Sequence, residues 1–361
     1  MNFQQSADAP MISICLPNLN NRRFLPERLD SIFRQSFTDW ELVVVDNHSD
    51  DGAWEFFQEQ AAREPRMRLS QAPREGMYPN WNNCVRQARG EFIYIATSDD
   101  TMAPDCLEKL HGALATQPQC GLAHCMLRTI DAEGNTVDTE WETKSMIGVA
   151  SKEWLLRPHV RLAPYDGLLH LCGESLYTSI TQLLIRRSLF DRIGFFKGDW
   201  GSQGDFHWNM RASLVVNTVH VPETWGGWRI HPSQATASIG YGKPEFRQRM
   251  DAMILDGVES VRGICAPRLM ERLDSGWAGY FIEQRRLGEK LAALPNRYQR
   301  LATLAKLAID SPYARARLYA RLFSEKELSR PPEAVVLEWV QSLGIREPFV
   351  AGAPVPAHSA N

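Results

Sequence analysis

The chain has no long apolar run. Ile12 to Leu16, Leu42 to Val45 and Phe92 to Ala96 are short, far below the ~20 residues that span a bilayer. It also lacks an excess of positive charge. Lys+Arg is 40 against 43 for Asp+Glu, a net charge of -3, which gives no support to a nucleic-acid binder. Cysteine is sparse and scattered, seven in all: Cys15, Cys84, Cys106, Cys120, Cys125, Cys172 and Cys265. An odd count in a long chain fits a reducing compartment better than a disulfide framework. Cys120 and Cys125 have no second close pair to complete a zinc site. Met1 to Pro10 is polar, without the basic-then-apolar order of a signal peptide. The expected setting is cytoplasmic.

What is present is ordinary for a folded protein: 361 residues, 44% hydrophobic and 23% charged. A mainly disordered or collagen-like chain is excluded. The length allows one large domain with an appendage, or two domains. The first ~110 residues alternate in pattern. Apolar runs at Met11 to Leu16, Glu41 to Val45 and Phe92 to Ala96 read as strands, and residues 24–37, 53–63 and 80–89 read as helices. Asp105 is placed to cap a further helix carrying Leu107, Leu110 and Leu114. Strand and helix in alternation imply a parallel sheet covered on both faces. Gly121 to Leu127, Thr181 to Ile185 and Leu214 to Val221 read as later strands, with 128–175 as irregular loops. Beyond ~240 the pattern turns helical.

In such sheets ligands sit beyond the carboxyl ends of the strands. Three segments occupy that position. Pro17-Asn18-Leu19-Asn20 follows the first strand, Asp46 to Gly52 the second, and Thr97-Ser98-Asp99-Asp100 the run at Phe92. The short oxygen side chains of 46–52 serve turn and cap chemistry or a ligand. Two adjacent carboxylates at Asp99 and Asp100 repel each other, which a hard cation relieves; the competing reading is a helix cap ahead of Pro104. Asp205, in the glycine-rich segment before a helix at Phe206, suits either a general base or an N-cap. Arg229 and His231 follow Trp225-Gly226-Gly227-Trp228 and can hold phosphates and a metal. Trp200, Trp208, Trp225 and Trp228 suit either a sugar-binding cleft or core packing.

Together these segments resemble the family-2 glycosyltransferases, inverting enzymes of α/β class with the GT-A fold. The resemblance covers roughly residues 11–235. It is carried by Ile12 to Asn21, Phe24 to Ile32, Gln35 to Phe37, Glu41 to Asn47, Gly90 to Ile93 with the acidic pair, Gly204-Asp205 with Arg211, and Arg229 to Ser233. It implies a Rossmann-like, mostly parallel sheet flanked by helices. The implied division is a GT-A domain over 1–240, with a nucleotide half at about 11–115 and an acceptor half at about 116–240. A helical C-terminal region over 241–347 and a mobile tail over 348–361 follow.

By position, the resemblance puts Pro17, Asn18 and Asn47 around the base and ribose, with Arg74 and Asn82 completing that pocket. Ser98, Asp99 and Asp100 stand at the family's Asp-x-Asp, so Asp99 is the expected ligand of Mg or Mn on the diphosphate, with His231 assisting. Asp205 matches the catalytic base. Two departures stand out. Thr97 replaces the first acid, leaving Asp100 as a candidate substitute. Asn47 replaces an acid near the base; an amide both donates and accepts, which favours uracil or thymine and hence a UDP or dTDP donor. The implied partners are a nucleotide-sugar donor and a glycan or lipid-linked acceptor in polysaccharide or glycoconjugate assembly.

Residues 295–330 carry eight Lys and Arg interleaved with leucines. Such a stretch fits peripheral contact with an anionic membrane, at the inner face, or a helix packed on the catalytic domain with a solvated basic side. A nucleotidyltransferase would need a basic, glycine-rich phosphate loop after the first strand, which Pro17 to Asn20 is not. An inactive GT-A scaffold binding nucleotide or glycan is the other reading, motivated by Thr97.

Overall fold

A computed structural model describes residues 9–137, 152–235, 243–309, 314, 318 and 332–351. The first half alternates as expected: β1 (Ile12–Asn18), α1 (Leu25–Phe33), β2 (Trp40–Asp46), α2 (Ala53–Ala61), β3 (Met67–Gln71), α3 (Met77–Gln87) and β4 (Phe92–Ile95). β3 has no counterpart in the sequence reading, because Met67-Arg68-Leu69-Ser70-Gln71 is an edge strand with little apolar content. Then come β5 (Thr101–Met102), α4 (Cys106–Thr116), β6 (Cys120–Ile130), α5 (Lys152–Leu155), β7 (His159–Arg161), α6 (Tyr165–Leu171), β8 (Leu183–Arg186), α7 (Ser188–Ile193), α8 (Gly204–Val215) and β9 (Asn217–Arg229). The C-terminal part holds α9 (Pro244–Ser260), α10 (Pro267–Arg272), α11 (Ala278–Ala292), α12 (Arg297–Leu307), α13 (Pro332–Ser342) and β10 (Phe349–Ala351).

Among the described residues one sheet runs β10-β7-β9-β6-β8-β4-β1-β2-β3, with β5 added beside β9. β3, β2, β1 and β4 are parallel neighbours. β8 pairs antiparallel with both β4 and β6, whereas β6 and β9 are parallel. The sheet has an apolar core on each face. The alternation of β1 and β2 divides their residues between the two: Ile12, Ile14, Leu16, Leu42 and Val44 join α1, α2 and α4, and Cys15, Val43 and Val45 join α3, α6 and α8. This two-sided burial is why these strands read as continuous apolar runs.

Three expectations change. Residues 128–175 are not only loop, since β6 reaches Ile130 and β7 and α6 follow. Leu214 lies in α8, and the strand expected there starts at Asn217. Phe349–Ala351, assigned to a tail, pairs antiparallel with β7. Residues 352–361, and most of the basic stretch beyond 309, lie outside the described residues.

The second half buries a polar network that no motif announced. Arg161 donates Nε to both oxygens of Asp166 at 2.9 Å and meets His159 Nε2 at 3.2 Å. His124 and His220 meet through their Nδ1 atoms at 3.1 Å. Tyr177 donates to Asp166 at 2.5 Å. Burial, reinforced for three of the rings by the Arg161 charge, keeps the imidazoles neutral. His159 and His170 are pushed down to about 4, and His124 and His220 also fall well below the usual range. An unfolded histidine protonates near pH 6.5, whereas these rings resist, so their stabilising share is present above pH 6.5 and lost as pH falls toward 4. His159 and His170 alone should each remove about 2 kcal/mol at pH 5. Denaturant unfolding at pH 7 and pH 5 should show this loss; equal midpoints would mean the rings are charged in the fold.

Candidate functional site

The carboxyl ends of β1, β2 and β4 open on one cleft of about 470 Å³. Its walls bring together Pro17, Asn18, Asn47, Ser98, Asp99 and His231, joined by Gly76, Met77, Asn80 and Trp81 from the start of α3. The loops after β1 and β2 are tied to each other. Asn20 donates to Asp50 Oδ1 and accepts from the Asp50 amide, both at 2.9 Å. Asn20 and His48 both adopt φ of 52°, a left-handed backbone uncommon outside glycine but one that Asn and His enter more readily than other residues.

Asn47 donates Nδ2 to the carbonyls of Ala72 and Pro73, at 3.1 and 2.9 Å. The donor half of the amide is therefore engaged, leaving Oδ1 as its free polar atom. The two-way pairing with a pyrimidine expected from sequence does not hold: Asn47 can only accept. Asn18 and Asn80 repeat the arrangement. Their Nδ2 atoms bond to Asp46 and Ser49, and to the carbonyls of Asn18 and Val45, while each buried Oδ1 lacks a partner among the described residues. Asn80 gave no sequence signal, since an asparagine inside a helix reads as surface.

The acidic turn is held from β9. Arg229, buried at 1% exposure, donates Nε to the Asp99 carbonyl at 2.6 Å, Nη1 to the Asp131 carbonyl and Nη2 to Glu27. Its amide reaches Asp100 Oδ1 at 2.9 Å. Thr97 donates its hydroxyl to Asp100 Oδ2. Asp100, expected as a candidate substitute for the first acid, is buried with both oxygens engaged and is absent from the cleft wall. Burial first, then the Asp99 charge, pushes its carboxyl up to about 7. Thr97 in place of an acid spares this turn a third carboxylate. Asp99 faces His231 instead, with Oδ2 and Nε2 3.1 Å apart. Ser233 holds His231 Nδ1 at 2.9 Å, and Phe24 packs 4.7 Å from the ring.

Arg74 and Asn82 do not line the cleft. Arg74 bridges the carbonyls of Asn47 and His48 and pairs with Asp50. Asn82 is buried and exchanges two hydrogen bonds with the backbone of Phe196. Both shape the site without facing it. Asp205 sits at the start of α8, behind the α3 wall, with Tyr78 donating to its Oδ1 at 3.0 Å. Burial raises its carboxyl, offset in part by the Phe206 amide and Tyr78. Trp208 is core, fully buried with Nε1 on the Gly194 carbonyl.

A carboxylate oxygen and an imidazole nitrogen converge at Asp99 and His231, two donor types that divalent cations take. Among the described residues no three His, Cys, Asp or Glu gather for a metal. A cation there would complete its shell with phosphate oxygens and water, a usual arrangement for hard divalent ions.

Residues 13–194, half of the chain, match the model of glycosyl transferase family 2. The chain belongs to this family. Among its relatives is the GalNAc(5)-diNAcBac-PP-undecaprenol beta-1,3-glucosyltransferase of Campylobacter jejuni, 33% identical over 135 residues, which are 35% of this chain and 40% of that protein. The chain spans 65% of one other curated relative and 19% of another. Two solved structures share the fold. TarS from S. aureus, in complex with UDP-GlcNAc, has a TM-score of 0.53 at 17% identity, covering 92% of both chains. The mannosyltransferase PcManGT from Pyrobaculum calidifontis, in complex with GDP-Man and Mn2+, has 0.50 at 20% identity, covering 89% of both. The fold is therefore the mixed α/β architecture of GT-A glycosyltransferases.

Asn47→Asp would turn a carboxylate toward the Ala72 and Pro73 carbonyls in place of two donors. We expect a loss of roughly 1–3 kcal/mol by denaturant unfolding. An unchanged midpoint would show that these contacts do not hold the residue.

Proposed function

We propose that the protein is an inverting glycosyltransferase that moves a sugar from a nucleoside diphosphate to an acceptor hydroxyl. The observation that supports this most is the convergence of Pro17, Asn18, Asn47, Asp99 and His231 on one cleft beyond the strand ends. The nucleoside lies against Asn18 and Asn47. Asn47 Oδ1 accepts a ring N–H, which uracil, thymine and guanine have and cytosine lacks. UDP and dTDP remain suitable donors, and GDP joins them. Asp99 and His231 would hold a divalent cation, Mn or Mg, which would supply charge neutralisation for the leaving diphosphate.

Asp205 takes the proton of the attacking acceptor hydroxyl. The acceptor oxygen bonds to the anomeric carbon as the carbon–phosphate-oxygen bond breaks from the opposite face. The nucleoside diphosphate leaves with that electron pair, so configuration inverts. The undecaprenol-linked substrate named for the Campylobacter relative makes a lipid-linked glycan a suitable acceptor class, in polysaccharide or glycoconjugate assembly. No helix among the described residues is long and apolar enough to cross a membrane. We place the enzyme in the cytoplasm, with peripheral contact at the inner membrane face through residues 295–330. The GT-A domain is taken as 1–240 and the helical region as 241–347.

A thermal-shift panel of UDP, dTDP, GDP and CMP, with and without Mn, tests the donor site. A ligand at 100 times its Kd stabilises by about 2.7 kcal/mol. We expect a Mn-dependent shift with one of the first three and none with CMP. Asp99→Ala should abolish the Mn dependence; an equal shift in that variant rejects the cation role. Asp205→Asn should lower transfer by about 10²–10⁴ and keep the nucleotide shift. Wild-type transfer in this variant rejects the base, and no shift with any nucleotide favours an inactive scaffold that binds glycan.

A further inference from the structure

Helix α3 faces two ways. Met77, Asn80 and Trp81 line the nucleotide cleft. Tyr78 and Asn82, between and beyond them, engage the second half of the chain at Asp205 and Phe196. Tyr78 is 2% exposed. Its ring lies 5.0 Å from Trp81, edge-on, and 5.9 Å from Phe196, stacked. These contacts hold the ring and leave its hydroxyl directed to Asp205.

The neighbouring glycine makes this approach possible. A Cβ on Gly204 would stand 2.6 Å from Tyr78 Cε2 and 2.6 Å from the Lys197 carbonyl. Any larger residue before Asp205 would push the phenol off the carboxylate. Asp205 Oδ1 receives two donors, the Tyr78 hydroxyl at 3.0 Å and the Phe206 amide at 2.8 Å. Among the described residues no other residue donates a hydrogen bond to Oδ2.

We propose that Tyr78 is a positioning residue for the proton acceptor of this enzyme: its hydroxyl saturates Asp205 Oδ1 and so presents Oδ2 alone to the acceptor hydroxyl. This rests on the reading of Asp205 as the base. With both lone-pair directions of Oδ1 occupied, the carboxylate is fixed about its Cβ–Cγ bond before the acceptor arrives. Fixed geometry at the reacting atoms is a large part of catalysis, and small misplacements are costly. The phenol also favours the ionised carboxylate, countering the burial that opposes it. Because the same helix lines the donor cleft, base and donor share one rigid support.

Tyr78→Phe removes the hydroxyl and keeps the ring. The Asp205 carboxyl can be followed by 13C NMR in side-chain-labelled protein and assigned by its loss in Asp205→Asn. We expect its titration to move to higher pH in Tyr78→Phe, because a donor to the charged form is gone. Incorporating 3-fluorotyrosine at position 78, a stronger donor of nearly the same shape, should move it to lower pH. An unmoved titration in both proteins overturns the proposal without any substrate being needed. Release of nucleoside diphosphate from UDP-glucose, UDP-GlcNAc and GDP-mannose supplies the kinetic arm. For whichever of these the wild type turns over, Tyr78→Phe should lower kcat about 10–100-fold with donor KM unchanged and the acidic limb shifted up. Unchanged kcat alongside an inactive Asp205→Asn defeats the positioning role alone. Full activity in Asp205→Asn defeats the base assignment, and Tyr78 then has nothing to position.

Discussion

The guanidinium of Arg229 joins three parts of the chain that are far apart in sequence. From the end of β9 it binds the Asp99 carbonyl, the Asp131 carbonyl and the Glu27 carboxylate. Its own amide caps Asp100. A buried charge is costly unless its donors are matched, and here they are divided between the turn after β4, the end of β6 and α1. The consequence is positional. Two residues after Arg229, His231 reaches Asp99 Oδ2, so the strand that anchors the turn also delivers its imidazole partner. The close packing of β9 on β5 serves the same end: a Cβ on Gly227 would collide with Thr101 Oγ1.

Around this anchor the site is built from groups whose donors are already committed. Asn18, Asn47 and Asn80 each spend their amide hydrogens on backbone or neighbouring side chains. Thr97 spends its hydroxyl on Asp100. The amide hydrogens of these side chains are therefore already engaged before any ligand arrives. Glu41 does comparable work at the opposite strand ends. Burial would raise its carboxyl, but bonds from Ser13, the Arg89 amide, Arg68 and Arg89 outweigh that and hold it low.

Much of the first half of the chain was legible beforehand. β1, β2 and β4 are buried on both faces and announce themselves as apolar runs, and the polar turns after them fell where a cleft forms. Pro17, Asn18, Asn47, Ser98, Asp99 and His231 meet there. What the sequence left undetermined shares a cause. Arg74, Asn82 and Asp100 carry suitable chemistry, yet their hydrogen bonds go to loops and backbone. β3, β7 and β10 are short or edge strands whose pairing depends on distant partners. The polar network of Arg161, Asp166 and the histidines has no local pattern because its members come from separate strands and helices.

Sequence by itself determined the α/β alternation, the family, and which residue types stand after each strand. Those follow from local periodicity and from side-chain chemistry fixed at each position. Tertiary structure decided which of those side chains remain free. Whether an asparagine donates or only accepts, whether Asp99 or Asp100 faces the cleft, and which oxygen of Asp205 stays open all depend on contacts between residues 26 to 202 positions apart. A hydrogen-bonding group can be spent only once, and only the fold shows where.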